Sequence, residues 1–448
     1  MTVVHPGGPA VQLRPGEDDP SDRRPAAFQA ASPLAPPDQA PDHPLDEFAP
    51  KSFDQSPRVE AWSDPQSAVG IMRIGLGTTT VEPALTRGRL DGIGVYSRAL
   101  LDTLPGAGCA VQGFSYPPAG FGVAAPVFSV GRSMPHSFAA LSLRDLMSPR
   151  RSRLAMPVDL YHATDYRVVR MDCPVVATLH DAVTMQYPQW CSPRLRSVKN
   201  WVQRNAAQKA DHVIALSAFA VAELVRYFGV DERRITVVPC GVSAEWQQPP
   251  AAGAVADTLR QFGLTPGYFL FVGTLQPRKN IDRILAAYLS LPAAIRRQHE
   301  CVIVGRAGWR CADTIARIRT VVTDGGRIVW LDTVDTQSQL RHVYAGAGAF
   351  VFPSLHEGFG IPVTEAFAAG VPVVTANTSS LPEVSQGAAL EVDPLDIGAI
   401  AAAMLALVTE DALRRRCIAA GLARARILTW ERTAHCTSAV YRQVLGLQ

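Results

Sequence analysis

Cysteine pairs are missing: none of Cys109, Cys173, Cys191, Cys240, Cys301, Cys311, Cys417 and Cys436 forms a CxxC motif. Such spacing offers neither a zinc knuckle nor a redox dithiol, so free thiols in a reducing compartment are expected. An excess of one charge is missing too. Lys and Arg number 43 against 40 Asp and Glu, which gives no electrostatic footprint for nucleic acid and excludes it as an expected partner. Long apolar runs are absent. The run Gly398 to Val408 falls well short of the roughly 18 residues that a membrane span needs. The opening MTVVHPGGPAVQLRPGEDD lacks a basic start, an apolar run and a small-residue cleavage site, so export is not expected and a cytoplasmic protein is. No Gly-x-Gly-x-x-Gly follows the first apolar run of either half, which argues against a nicotinamide oxidoreductase.

What is present suits two domains. The chain has 448 residues, 47% apolar and 19% charged, enough to bury two cores. From Met1 to about Gln66, Pro, Asp and Ala crowd a stretch without apolar periodicity, and a disordered tail over 1–68 is expected. Short apolar runs then alternate with helix-length segments. They are Ile71–Gly77, Val158–His162, Val175–His180, Val213–Ser217 and Ile235–Val238, then Tyr268–Val272, Cys301–Val304, Arg327–Leu331, Ala349–Phe352 and Val371–Val374. This alternation predicts an α/β fold of two doubly wound parallel sheets, each Rossmann-like, facing a cleft. Cys240 to Pro250 reads as a linker. The expected domains are 69–243 and 244–426, with a C-terminal helix in 427–448 returning toward the first.

The segment Phe352 to Gly370, FPSLHEGFGIPVTEAFAAG, lies between two strand-like runs. Pro362 suits a first helical turn and Gly370 a position just past the helix end. Gly358 and Gly360 allow a ligand close to the backbone, so an anion site at the helix start is predicted. Glu357 in the loop and Glu365, placed in the first turn, flank that site with groups that accept hydrogen bonds from vicinal hydroxyls. A phosphate beside hydroxyls is the outline of a sugar nucleotide. His180 and Asp181 follow the Val175–Leu179 run at a strand end where an α/β cleft opens.

On these residues the chain resembles the retaining glycosyltransferases of family 4, whose Glu, seven residues, Glu hallmark is met by Glu357 through Glu365. The resemblance continues through Phe271–Asn280 (FVGTLQPRKN), Val304–Trp309 and Ser379–Glu383, and covers the chain from about Gly70 onward. It implies a GT-B fold and a nucleotide-sugar donor held mainly by the C-terminal half. By resemblance, Glu365 would hold the donor ribose, Glu357 the transferred sugar, and the main chain at Gly358, Phe359 and Gly360 the phosphate. Gly273, Arg278 and Lys279 would meet the diphosphate, and His180 the donor sugar. The family often has Arg after the glycine at Gly273, whereas Thr274 stands here, so Arg278 is the cation left to substitute.

Arg89–Tyr96, RLDGIGVY, resembles the family's first glycine-rich loop, with Asp91 replacing one glycine. Its Gly92 and Gly94, with His162 and Asp181, are the expected acceptor-side residues. No Asp-x-Asp is present, so protein cations rather than a metal are expected to hold the diphosphate, and no cofactor is implied. The Pro-Arg-Lys-Asn subgroup leans toward GDP-mannose and a glycan or lipid-linked acceptor of bacterial surface polysaccharide. Basic residues in Ser192–Lys209 and at Arg150, Arg151 and Arg153 suggest peripheral contact with the inner membrane. The motifs alone also fit a sugar-nucleotide-binding protein without catalysis.

Overall fold

The computed structural model describes residues 71–119, 127–147, 153–190 and 196–447. The tail expected over 1–68, Arg150 and Arg151 lie outside them. Residues from Ile71 onward form one compact unit built on two sheets. The first contains β1 (Met72–Gly77), β2 (Cys109–Ser115), β3 (Arg132–Ser133), β4 (Leu160–Ala163), β5 (Val175–Leu179), β6 (His212–Ala215) and β7 (Ile235–Val237) in the order β3-β2-β1-β4-β5-β6-β7. The second contains β8 (Tyr268–Val272), β9 (Cys301–Val304), β10 (Ile328–Leu331), β11 (Ala347–Phe352), β12 (Val373–Ala376) and β13 (Leu390–Val392) in the order β10-β9-β8-β11-β12-β13. Every pairing is parallel, for example Phe271 beside Ile303 and Val351 beside Val374.

The predicted strands form because their runs are apolar on both faces. YFLFV, CVIV, IVWL and AGAFVF are buried throughout, the pattern of parallel strands covered by helices on either side. β2, β3 and β13 escaped sequence reading because they are edge-ward, short or only partly buried. The order of the second sheet reverses between β8 and β11, so the loops after these two strands splay apart and open a crevice.

Two crossings tie the halves together. Cys240–Pro250 is packed rather than loose: Val242 N–H donates to the Leu428 carbonyl at 3.0 Å, and Trp246 is buried edge-on against Tyr344. The helix Trp430–Leu445 then returns to the first sheet's side, where Ser438 Oγ donates to the Ala107 carbonyl at 2.9 Å. Its Tyr441 hydroxyl lies 2.7 Å from His162 Nδ1, and His162 Nε2 lies 2.8 Å from Thr178 Oγ1. His162 is therefore fully buried, with its pKa driven down to about 3 by burial and by His180. It does not face the cleft as expected from sequence; its ring bridges β5, through Nε2 and Thr178, to the C-terminal helix, through Nδ1 and Tyr441. Tyr441→Phe should leave His162 Nδ1 buried without a partner and cost about 1 to 3 kcal/mol, read as a lowered urea midpoint.

Candidate active site

A cleft of about 1270 Å³ lies between the carboxyl ends of the two sheets. Gly273, Arg278, Lys279, Glu357, Gly358, Phe359, Gly360 and Glu365 line one side, and Gly92, His180 and Asp181 the other. The switch between β8 and β11 brings three charges together. Arg278 and Lys279 sit in a single 3₁₀ turn after β8, with Pro277 starting the turn and Asn280 ending it in the left-handed region. Asn280 Nδ2 donates to the Pro353 and Pro394 carbonyls at 2.9 and 2.7 Å, pinning the turn to the loops after β11 and β13.

From that turn, Lys279 Nζ donates to Glu357 Oε1 at 2.6 Å and Arg278 Nη1 to Oε2 at 2.8 Å. Arg278 Nη1 also donates to the His356 carbonyl at 3.0 Å. Lys279 is buried and lies 4.7 Å from the centre of the Phe352 ring, a cation over an aromatic face. Burial pushes the Glu357 carboxyl up, but Arg278 and Lys279 outweigh it and hold the group at about 2. Burial draws the Lys279 ammonium below its ordinary range, against the pull of Glu357. Two cations thus share one carboxylate at the cleft wall.

Glu365 behaves oppositely. It belongs to the middle of the helix Ile361–Ala368 rather than its first turn, so it is no partner for the helix N-terminus. Burial carries its carboxyl up to about 8, and the Tyr344 hydroxyl, donating to Oε2 at 3.1 Å, recovers only part of the shift. The helix opens as the sequence implied, with Pro362 in its first turn and Gly370 past its end at φ +70°. Gly360 precedes it at φ +111°, a conformation that favours glycine.

Across the cleft, His180 closes β5. Its Nε2–H donates to the Thr164 carbonyl at 2.8 Å, which leaves Nδ1 as an acceptor, and burial lowers its pKa. Asp181 Oδ1 accepts from Val183 N–H at 3.2 Å, and Tyr166 donates to the Asp181 carbonyl at 2.9 Å. The two sides meet at Gly358, where a Cβ would lie 2.0 Å from the His180 carbonyl oxygen. No side chain fits between these loops. Asp91 accepts from Gly94 N–H at 2.8 Å and caps the helix Gly92–Thr103. Gly92 borders the cleft, but Gly94 does not: it packs under the Thr80 carbonyl, 2.9 Å from where a Cβ would stand.

Sequence reading missed several participants. Tyr344 comes from the helix Gln337–Ala345, Tyr166 and Arg167 from the loop after β4, and Glu223 from a helix of the first half. Nothing in local spacing marks them. Ser379 and Ser380 carried a signal, within the Ser379–Glu383 motif. Ser379 Oγ accepts from Glu357 N–H at 3.2 Å, and Ser380 Oγ contacts the Glu357 and Phe359 carbonyls, both at 2.9 Å. In the basic segment, Lys209 is tied to Asp145 at 2.8 Å and faces inward, whereas Trp201 is 49% exposed. Among the described residues no helix is long and apolar enough to cross a membrane.

Family models agree with this architecture. Residues 260–424 match the model for glycosyl transferases group 1, and residues 90–246 that for Glycosyltransferase Family 4. The O-antigen chain mannosyltransferase B of Escherichia coli is 33% identical over 298 residues, covering 65% of this chain and 76% of that protein. The chain belongs to glycosyltransferase family 4. A serotype-specific mannosyltransferase, WbdA of Escherichia coli, is 28% identical over 230 residues, 51% of this chain and 28% of its own length. Among solved structures, sucrose-phosphate synthase from Thermosynechococcus elongatus superposes with a TM-score of 0.64 at 22% identity, covering 84% of this chain and 99% of that one. Anabaena HepE in complex with UDP and glucose gives 0.60 at 16%, covering 83% and 99%. The fold of this glycosyltransferase is therefore GT-B, two Rossmann-like halves about a central cleft.

Removing Glu357 would take from the buried Lys279 its carboxylate. Glu357→Ala should destabilise the free enzyme by about 3 to 5 kcal/mol, the usual cost of breaking a buried pair from one side, read in urea unfolding followed by circular dichroism.

Proposed function

We propose that this enzyme moves mannose from GDP-mannose to a glycan or lipid-linked acceptor of bacterial surface polysaccharide, with retention of anomeric configuration and without a metal. The observation that carries the reading is the pair Arg278 and Lys279 converging on Glu357 at the sheet switch point. The mannosyltransferase relatives support the sugar. In this scheme the diphosphate lies against Arg278, Lys279 and the main chain at Gly358, Phe359 and Gly360. Glu357, kept ionised by those same cations, accepts hydrogen bonds from hydroxyls of the transferred sugar. Glu365 takes the ribose hydroxyls.

As the bond from the sugar's anomeric carbon to phosphate oxygen breaks, its electron pair stays on the diphosphate. The acceptor oxygen bonds to the anomeric carbon from the face the diphosphate leaves, and the acceptor proton passes to the departing phosphate oxygen. The protein's part is electrostatic and positional: Lys279 and Arg278 meet charge that grows on the leaving group, so they favour the transition state over the bound ground state. His180, neutral and anchored through Nε2, offers Nδ1 to the donor sugar. The basic helix Arg196–Ala207 with its exposed Trp201 would carry any peripheral contact with the inner membrane from the cytoplasmic face.

The test is transfer from GDP-mannose, with the product's anomeric configuration read by NMR. Turnover should be unchanged in EDTA, and Lys279→Ala should lower kcat about tenfold to hundredfold. Loss of activity in EDTA, restored by magnesium, would end the protein-cation scheme. Donor binding with no transfer or hydrolysis would instead favour a non-catalytic binding protein.

A pH dependence follows from Glu365. Its carboxyl is protonated below about 8 in the empty cleft, while ribose hydroxyls favour the carboxylate, so binding releases a proton. Affinity for GDP should therefore rise with pH, by up to about tenfold per unit, below the free group's pKa, and the rise should end above it, where Lys279, drawn down to about 8 by burial, loses the charge that meets the diphosphate. Titration calorimetry should show this ascending limb in the wild type and lose it in Glu365→Gln. A limb that survives the substitution would assign the proton elsewhere.

A further inference from the structure

We propose that Glu223 and His356 are positioning residues, whose contact joins the His180 loop of one half to the Glu357 loop of the other and so aligns the two sides of the donor site. The proposal rests on the glycosyl-transfer reading of the cleft. Neither residue lines the cleft; His356 falls within the Phe352–Gly370 segment, next to Glu357, but the sequence assigns it no role, and Glu223 lies outside every motif.

Glu223 ends the helix Ala218–Glu223, and the next residues, Leu224–Phe228, form a π-helical turn. Such turns are rare inside helices and concentrate at functional positions. Its buried carboxylate uses both oxygens on different targets. Oε1 lies 2.6 Å from His356 Nε2, and Oε2 accepts from Ala182 N–H at 3.3 Å. Ala182 stands two residues after His180, and His356 immediately precedes Glu357. One carboxylate thus connects the chain segments that carry the two cleft groups facing each other.

The imidazole of His356 is 1% exposed and held edge-on by Tyr187 and Phe219, at 5.3 and 5.5 Å between ring centres. Nδ1 has no partner among the described residues. The tautomer that fits carries its hydrogen on Nε2 and gives it to Glu223. The ring therefore has a single polar commitment, and that commitment crosses between the halves. Its main chain is committed to the clamp, since the His356 carbonyl accepts from Arg278.

A buried pair of this kind contributes little net stability compared with apolar packing. What it adds here is registration. The loops already abut at Gly358 and the His180 carbonyl, with Ser217 Oγ donating to the Gly358 carbonyl at 2.8 Å, so a shift at one is passed to the other. Misplacing reacting groups by about 1 Å can cost about a hundredfold in rate, whereas the diphosphate clamp and Glu365 lie wholly in the second half.

The experiment compares His356→Ala, Glu223→Ala, their double variant and His356→Gln, whose amide N–H can replace Nε2–H. Each alanine variant should lower kcat about tenfold to hundredfold and change GDP affinity by less than about threefold. The double variant should be no worse than the poorer single, and His356→Gln should recover kcat to within about threefold of wild type. Independently of activity, hydrogen exchange at the Ala182 amide should quicken in Glu223→Ala, which removes its acceptor. Unchanged exchange there would remove the link, whatever the enzyme transfers. Faster exchange with wild-type kcat, or equal losses of GDP affinity and kcat without rescue by Gln, would overturn the positioning role. A wild type that transfers no sugar would overturn the reading of the cleft and this role with it, while the exchange result would still decide whether the contact exists.

Discussion

Glu357 is a buried carboxylate shared by two cations that arrive together on one turn of a different strand, and the chemistry of the cleft hangs on that sharing. Burial alone would neutralise such a group; Arg278 and Lys279 keep it charged. The dependence runs the other way as well, because without Glu357 the buried Lys279 would lose its carboxylate. Glu365 stands eight positions later in the chain yet among the described residues its carboxylate meets only a tyrosine hydroxyl, and its carboxyl goes up to about 8. Two like residues acquire opposite ionisation behaviour from their surroundings, which suits one to partnering cations and the other to exchanging a proton when a ligand arrives.

The halves that hold these groups are joined with little slack. The C-terminal helix crosses back and is fastened by Tyr441 to His162, Val242 pairs with the segment before that helix, and Gly358 sits against the His180 carbonyl with no room for a side chain. His162 looked like a cleft residue because it closes an apolar run, as His180 does. The two differ in their place on neighbouring parallel strands: His162 lies inside β4, under the returning helix, and His180 stands just past the end of β5. Histidines at similar positions thus serve fastening and function.

Much of the architecture was legible because parallel strands buried on both faces must be apolar throughout, and such runs stand out between helix-length segments. The strand from Tyr268 to Val272 and that from Cys301 to Val304 were found residue for residue. Less legible were β3 and β13, too short for periodicity, and the segment Cys240–Pro250, whose turn formers resemble a linker while Trp246 packs into the core. Among the site residues, Arg278, Lys279, Glu357 and Glu365 were readable as a motif, and the structure brings all four to one side of the cleft.

By itself, then, the sequence determined the fold class, the family and the segments that end at the cleft, since these follow from local patterns of apolar residues, glycines and prolines. Only the tertiary structure decided which charges touch. That Glu357 belongs to both cations, that Glu365 leans on Tyr344, that His162 is a fastener, and that Glu223 reaches His356 across 133 positions of chain are facts of strand order and helix return. No spacing along the chain encodes them, because contacts between distant segments are set by how the sheets reverse and close.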